Sequence, residues 1–335
     1  GDSGANWSAT DVRVNTGQND DSFNIQVHQT SGSIVAVWET FFNNRGRHIN
    51  TAASTDGGNS WRAIAQLDTG PGTAVASTPD VAVVGSRVFV VWRDNRSGRP
   101  DIYVRASADG GLTWSPRDIR LDTDAAGAHT SEEPSVAADA MGNVFVAWQD
   151  VRDDRAYDIY FQRSADNGAT WLPADARVDT DAFPRDSLHP NAMAVGNGEV
   201  AIVWQDFRWG LPNPYGNRSV AGGATFQRAD AQVIGGMPGR SSAVNVVSAS
   251  GGRAVFVAWA DNRNGSLDIY GNYSLDGGAT YQPADIRFDT ATGAVDAHYP
   301  SVAVTTVGGR PVLHTVWVDR RGNGINGDIY YRALR

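Results

Sequence analysis

Apolar residues along this chain fall in short runs that recur at a fixed spacing. Each run ends on a Trp, as in Val144-Phe145-Val146-Ala147-Trp148, and the same arrangement closes at Trp38, Trp92, Trp204, Trp259 and Trp317. The steps between successive Trp residues are 54, 56, 56, 55 and 58. Around each run the pattern predicts four strands. The first follows a Pro, as in Pro134-Ser135-Val136-Ala137-Ala138, and the second is the Trp-ended run. The third carries Asp-Ile-Tyr, as at Asp158-Ile159-Tyr160, and the fourth runs from Trp171 to Asp179. Val, Ile, Tyr, Phe and Trp fill the runs, and Gly, Asn, Asp and Pro punctuate them. Four strands per unit, repeated about an axis, predict an all-β, six-bladed β-propeller of four-stranded antiparallel blades. The expected blades span about 23–69, 79–123, 134–180, 190–235, 243–290 and 300–335, the last completed by 1–16.

The turn between the third and fourth strands reads Ser-x-Asp-x-Gly-x-Thr-Trp. It occurs at Asp56, Asp109, Asp166 and Asp276, each followed by Gly and an aromatic residue. The Asp carboxylate can accept backbone N–H bonds inside the turn, Gly adopts backbone that a side chain strains, and the ring buries apolar area. The fourth unit has Ala221 in place of Asp. The sixth unit ends at Arg335 before its turn, and Asp2, Gly4, Asn6 and Trp7 match the missing positions. Ser8 to Thr16 then parallels Gln282 to Thr290, so an N-terminal strand is expected to complete the last blade and pair its open edge.

This turn resembles the Asp-box, or bacterial neuraminidase repeat, of the sialidase-like propellers, and the resemblance covers the whole chain. It implies a secreted, extracellular or periplasmic protein that acts on or binds glycans. It also implies that the Asp-box turns lie on the face away from the active site. Sialidases use an arginine triad, an Asp acid/base and a Tyr–Glu nucleophile pair, with the first arginine in an Arg-Ile-Pro segment. That segment is absent here, and the first strand, Phe23 to His28, has no Arg.

Composition narrows the chemistry. With 37 Gly and 11 Trp, the chain suits many short strands. No apolar run reaches the length of a bilayer-spanning helix, so no membrane insertion is expected. No signal peptide is visible, and a start at Gly1 fits a trimmed mature chain. Cys is absent, which removes disulfides and thiol catalysis, and all 28 basic residues are Arg, which removes Schiff-base and P-loop chemistry. The net charge of −9 argues against a nucleic-acid partner. The chain is expected to be a monomer.

Five units continue the Trp run into Trp-x-Asp-x-Arg, pairing Asp94 with Arg96, Asp150 with Arg152, Asp206 with Arg208, Asp261 with Arg263 and Asp319 with Arg321. These read either as a ring of charge at the mouth or as an Arg bridging two carboxylates to fix a loop. A feature present in nearly every blade serves the fold, whereas catalysis needs one asymmetric site. Candidates therefore come from breaks in the repeat, expected in mouth loops: His129 to Glu133, Arg185 to His189, Asp296 to Tyr299, Asp20-Asp21, and Glu39 to Phe42. Glu occurs only four times, at 39, 132, 133 and 199. Rare carboxylates beside His and Tyr suit acid–base work on glycosides, so Glu39, Glu132, Glu133, Asp186, His189, His298 and Tyr299 are the candidate catalytic residues. Solvated loop residues are the alternative. Trp209, Tyr215, Phe41 and Tyr299 could stack on sugar rings or pack between blades. No cofactor or zinc site is expected, because His129, His189 and His298 fall in different blades. Asp122/Asp124 and Asp179/Asp181 offer oxygens of the kind calcium takes, or cap strand ends. The leading expectation is a lectin-like glycan binder, followed by a glycoside hydrolase with its site at the mouth and by a protein-interaction scaffold.

Overall fold

The computed structural model describes residues 10–15, 21–29, 32–42, 46–62, 65–152, 155–181, 184–236, 242–290, 296–321 and 327–334. Among these, 23 strands form six antiparallel sheets, five of four strands and one of three. Blade three is typical: Ser131–Ala138, Val144–Asp150, Asp158–Ser164 and Ala176–Arg177 pair in order from the inside outward. The innermost strands are Asp21–Gln29, Ala76–Val84, Ser131–Ala138, Ser187–Ala194, Ala243–Gly251 and Ala297–Val307. Each touches the next around a common axis, from the first to the sixth. The fold is a six-bladed β-propeller.

The second strands of blades three, four and five are buried on both faces, as every residue of Val144–Asp150 shows. Such a strand reads as a continuous apolar run because both sheet faces are covered. Five hydrophobic clusters fill the five interfaces between successive blades. Trp92, Trp148, Trp204 and Trp259 are fully buried, each facing the preceding blade. At about 25 cal/mol per Å² and roughly 150–250 Å² per ring, each contributes on the order of 4–6 kcal/mol before entropy.

The closing interface differs. Val14, the counterpart of Phe288, packs against Ala36 and Trp38 of the first blade, as Phe288 shares a cluster with Leu313 and Trp317 of the sixth. Ile329 of the sixth blade is 72% exposed, while Ile102, Ile159 and Ile269 at the same position are fully buried. Asp2, Gly4, Asn6 and Trp7, expected to complete the sixth blade, lie outside the described residues, and Thr10 to Asn15 are not assigned as strand.

The repeated turn is saturated with hydrogen bonds. Asp166 Oδ1 accepts from Ser164 Oγ at 2.7 Å and from the Thr170 N–H at 2.8 Å, and Oδ2 accepts from Thr170 Oγ1 at 2.6 Å. Gly168 has φ +82°, and a Cβ there would stand 3.2 Å from the Phe89 ring. Asp56 and Asp109 repeat the hydroxyl and backbone bonds, and so does Asp276. The hydroxyls of Ser60 and Thr170, then their N–H groups, hold the carboxyls of Asp56 and Asp166 down at about 2. In the fourth blade Ser219 still accepts from Ala221 and Gly223, but no carboxylate reaches Thr225.

One expectation changes. The four innermost strands that contain a proline start three residues before it, for example at Ser131 rather than Pro134. A β-bulge carries each strand through the position where proline, lacking an N–H, marked a boundary.

Two substitutions test this account. Ala221→Asp supplies the missing acceptor and is expected to stabilise the protein by about 0.5–1.5 kcal/mol in urea unfolding. Trp148→Ala empties the interface between blades two and three and is expected to cost about 3–5 kcal/mol.

Candidate functional site

The repeated charges are committed to the scaffold. Arg96 Nη2 lies 2.5 Å from Asp94 and 2.8 Å from Asp118, with the guanidinium carbon 4.0 Å above the Tyr103 ring. Arg152, Arg208 and Arg263 sit in the same sandwich, on Tyr160, Tyr215 and Tyr270. Arg321 repeats it with Asp319 and Tyr330. Of the two sequence readings, the bridging arginine is the one found. It also covers Tyr215, which is buried under Arg208 in the third strand Asn213–Ser219; its hydroxyl accepts from Trp209 Nε1 at 2.9 Å. Tyr215 therefore has no free face for a sugar, whereas Trp209 is 61% exposed. Phe41 is partly exposed on the second strand of blade one.

The aspartate pairs at the strand ends are organised around arginine. Arg120 Nη2 stands 2.6, 2.7 and 3.3 Å from Asp122, Asp124 and Asp101. Arg177 does the same for Asp158, Asp179 and Asp181. The carboxylates come close enough to one another for a cation, but a guanidinium occupies their centre. Asp122 and Asp179 also accept the N–H groups of Ile102 and Ile159, which is strand capping. His129 pairs with Asp124 at 2.9 Å.

The asymmetry lies on the axis. Each innermost strand has one bulge, and each bulge carries one non-glycine residue with positive φ. These are Asn24, Thr78, Glu133, His189, Asn245 and Tyr299, all with φ between 49° and 54°. Side chains seldom accept that backbone, and its recurrence in all six blades marks strain the ring imposes. The six residues are of five kinds, Asn recurring at 24 and 245, unlike the uniform turns and sandwiches around them. Four of them, with Gln26, Asp80, Ser135 and Asn191, line an axial cavity of about 700 Å³.

The bulges are held from behind. Buried Glu39 accepts from the Thr78 N–H at 2.7 Å and from Asn24 Nδ2 at 2.6 Å, with Arg47 at 3.3 Å. Gln149 accepts the His189 N–H at 2.9 Å in the same way. Asp80 accepts the N–H of Val136 on the next blade at 2.8 Å, and burial pushes its carboxyl up. By contrast, the side chains of Glu133, His189, Asn245 and Tyr299 make no hydrogen bond within the protein among the described residues, and buried Thr78 Oγ1 has no partner. The free polar groups thus converge where the scaffold does not need them.

The candidate catalytic residues separate accordingly. Glu133 and His189 line the cavity, and Tyr299 holds the equivalent position in the sixth blade, 67% exposed. They lie in bulged strands, not in the mouth loops the sequence suggested. Glu39 is also in a strand and acts as a strut. Glu132 is paired with Arg93 and accepts from the Tyr157 hydroxyl at 3.3 Å, and Asp186 accepts the Tyr157 N–H at 3.1 Å. His298 faces Asp296 at 3.9 Å. None of these last three lines the cavity. Sequence reasoning missed Asn24, Thr78, Asp80 and Asn191. The available signal was the residue before the strand proline, which is Thr, Glu, His or Tyr in four blades.

No protein-family model matches the chain, and no curated protein matches it in sequence. Solved structures do. Trypanosoma rangeli sialidase in complex with the inhibitor DANA is similar at TM-score 0.53 and 13% identity, over 93% of this chain and 55% of that one. A Hadza microbial sialidase is similar at TM-score 0.56 and 18% identity, over 94% and 65%. A Dyadobacter fermentans protein described as of unknown function is similar at TM-score 0.55 and 16% identity, over 95% of both chains. This chain has the sialidase-like propeller fold. It spans just over half to two thirds of the length of the two sialidases. Within that fold, no arginine lines the axial cavity among the described residues.

The strand-end clusters give a pH prediction. Burial, with Asp179 adding to it, pushes the Asp181 carboxyl up to about 8, and burial with Asp101 does the same for Asp122. Their pKa is higher folded than unfolded, so the folded state holds protons that the unfolded state releases. Stability therefore falls as pH rises from about 4 to about 8. Asp181→Asn keeps an acceptor for Arg177 but has no proton to lose. Thermal unfolding should show the variant close to the parent at pH 4 and melting a few degrees higher at pH 8.

Proposed function

We propose that this propeller is an extracellular, lectin-like module that recognises glycans in its axial cavity, and that it is not a sialidase. One observation carries the reading. Five kinds of side chain occupy the single strained position of the six blades, four of these positions lining a cavity of about 700 Å³, while the other polar positions repeat and satisfy one another. Concave sites with a few convergent, unpartnered polar groups are where small ligands bind. Sugars suit hydroxyl, amide, carboxylate and imidazole groups spaced around a ring, and exposed Tyr299 supplies a face for stacking. The sialidase-like fold is consistent with a carbohydrate ligand, while the lack of lining arginine weighs against a sialidase site.

A second reading, a glycoside hydrolase, is favoured by Asp80 and Glu133 together. Both line the cavity, and burial raises Asp80 towards its neutral acid form. A protonated carboxyl and a carboxylate are the pair such hydrolysis uses. Binding is preferred because Asp80 already accepts two backbone N–H groups, those of Val81 and Val136, as an inter-blade strut.

Calorimetric titration of the protein with a panel of neutral, acidic and amino oligosaccharides tests the proposal, alongside turnover of chromogenic glycosides. Binding without turnover is expected. Glu133→Ala and His189→Ala should each weaken binding about tenfold or more while leaving the melting temperature within a few degrees. Hydrolysis abolished by Glu133→Ala and by Asp80→Asn would replace the lectin reading with the hydrolase. No binding across the panel would end both.

A further inference from the structure

We infer that the axial cavity prefers a sugar bearing a free, protonated amine over a neutral or carboxylated one. The inference rests on the glycan-binding reading above and deepens it. Glu133 is half-buried at the cavity wall and has no hydrogen-bond or ion-pair partner among the described residues. This contrasts with the carboxylates of the turns, the sandwiches and the other three glutamates. Asp56, Asp109, Asp166 and Asp276 are held in turns, the Trp-x-Asp-x-Arg carboxylates in arginine sandwiches, and Glu39, Glu132 and Glu199 on Arg47, Arg93 and Arg253. A partly desolvated carboxylate left without a cation is costly, and a ligand that brings the cation recovers that cost.

Among the described lining residues the carboxyls of Glu133 and Asp80 face one basic side chain, the imidazole of His189, and no guanidinium. The chain has no Lys, and no Arg lines the cavity among the described residues. Arg93, the guanidinium on the strand next to Ser77 and Thr78, is tied to Glu132 and Ser77. Asp80 contributes a second carboxyl to the same wall. A carboxylated sugar would therefore meet a carboxylate with no guanidinium to receive it, a like-charge contact that selects against that ligand. A neutral sugar would be accepted by Thr78, Asn191 and Ser135 but would leave Glu133 without its counter-charge. An ammonium group donates three hydrogen bonds and supplies that charge.

The test is a matched series at pH 6.5 and low salt: oligomers of glucosamine, N-acetylglucosamine, glucose and glucuronate of equal length, measured by calorimetry against the intact protein. The glucosamine oligomer is expected to bind at least tenfold tighter than the two neutral ones, and the glucuronate oligomer weakest. That preference, read as the ratio of amino to neutral oligomer affinity, should shrink to about twofold or less in 0.5 M NaCl and in Glu133→Gln. Equal binding of amino and neutral sugars, or tightest binding of the acidic one, overturns this inference but leaves glycan recognition standing. Retention of the full amine preference in Glu133→Gln overturns the assignment to Glu133. Absence of binding by all four oligomers removes the glycan reading itself. Should Glu133→Gln unfold, the salt dependence on the parent protein decides alone: a preference unchanged by salt overturns the inference.

Discussion

Each sheet of this protein has two apolar faces, and neither can be left in water. The second strands make this plain, since in blades three, four and five every residue of the run is buried. A stack of such sheets always exposes its two ends, whereas a ring gives every sheet a neighbour on both sides. The buried Trp of each second strand enforces that solution, because its ring fills the wedge between one blade and the one before it. The seam between the sixth and first blades is where the constraint is least met among the described residues: Val14 covers Trp38, while Ile329 faces solvent. Ring closure also produces the axial cavity.

The polar groups divide into two populations. Those that repeat from blade to blade are saturated: the turn aspartates, the arginine sandwiches on Tyr103, Tyr160, Tyr215 and Tyr270, and the strand-end clusters around Arg120 and Arg177. Their charges cannot be spent on a ligand without loosening the ring. Those that differ between blades gather at one position per innermost strand and, apart from Asn24, which donates to Glu39, their side chains are left unpartnered among the described residues. This division separates scaffold from site more sharply than exposure does. Trp209 is highly exposed and Thr78 Oγ1 is buried, yet it is Thr78 that faces the cavity.

The two populations also explain what could be read from the sequence. The Trp spacing was legible because burial on both faces forces an unbroken apolar run, and the turn was legible because its hydrogen bonds are all local. The Asp and Arg of the sandwich were legible as a pair, but its other carboxylate, such as Asp118 for Arg96, lies more than twenty residues away and carries no local mark. The axis was legible only in part. Looking for breaks in the repeat found Glu133, His189 and Tyr299, but treating proline as a strand boundary put them in loops. Asn24 and Thr78 went unseen because a bulge is a property of register, not of residue type. Glu39 stood out for its rarity and proved to be a strut, since rarity does not distinguish a buried acceptor from a reactive one.

The strut arrangement gives the site its freedom to vary. At Thr78 and His189 the bulge N–H is received by a side chain of the preceding blade, Glu39 in one case and Gln149 in the other. The backbone is thus fixed by its neighbour, and the side chain of the bulge residue takes no part in holding it. Positive φ at a β-branched Thr carries a cost of about 1–3 kcal/mol, which the strut and the flanking ladder must offset, since nothing local favours that conformation. The side chain is then released from both packing and hydrogen-bonding duty. Substitution at Thr78, Glu133 and His189 can change what the cavity recognises while leaving the blade interfaces untouched, whereas the same freedom at a turn aspartate or a sandwiched arginine would unpair buried charge. The axis is therefore the part of the ring where chemistry can diverge at least cost to the fold, and it is the part where the six blades differ most.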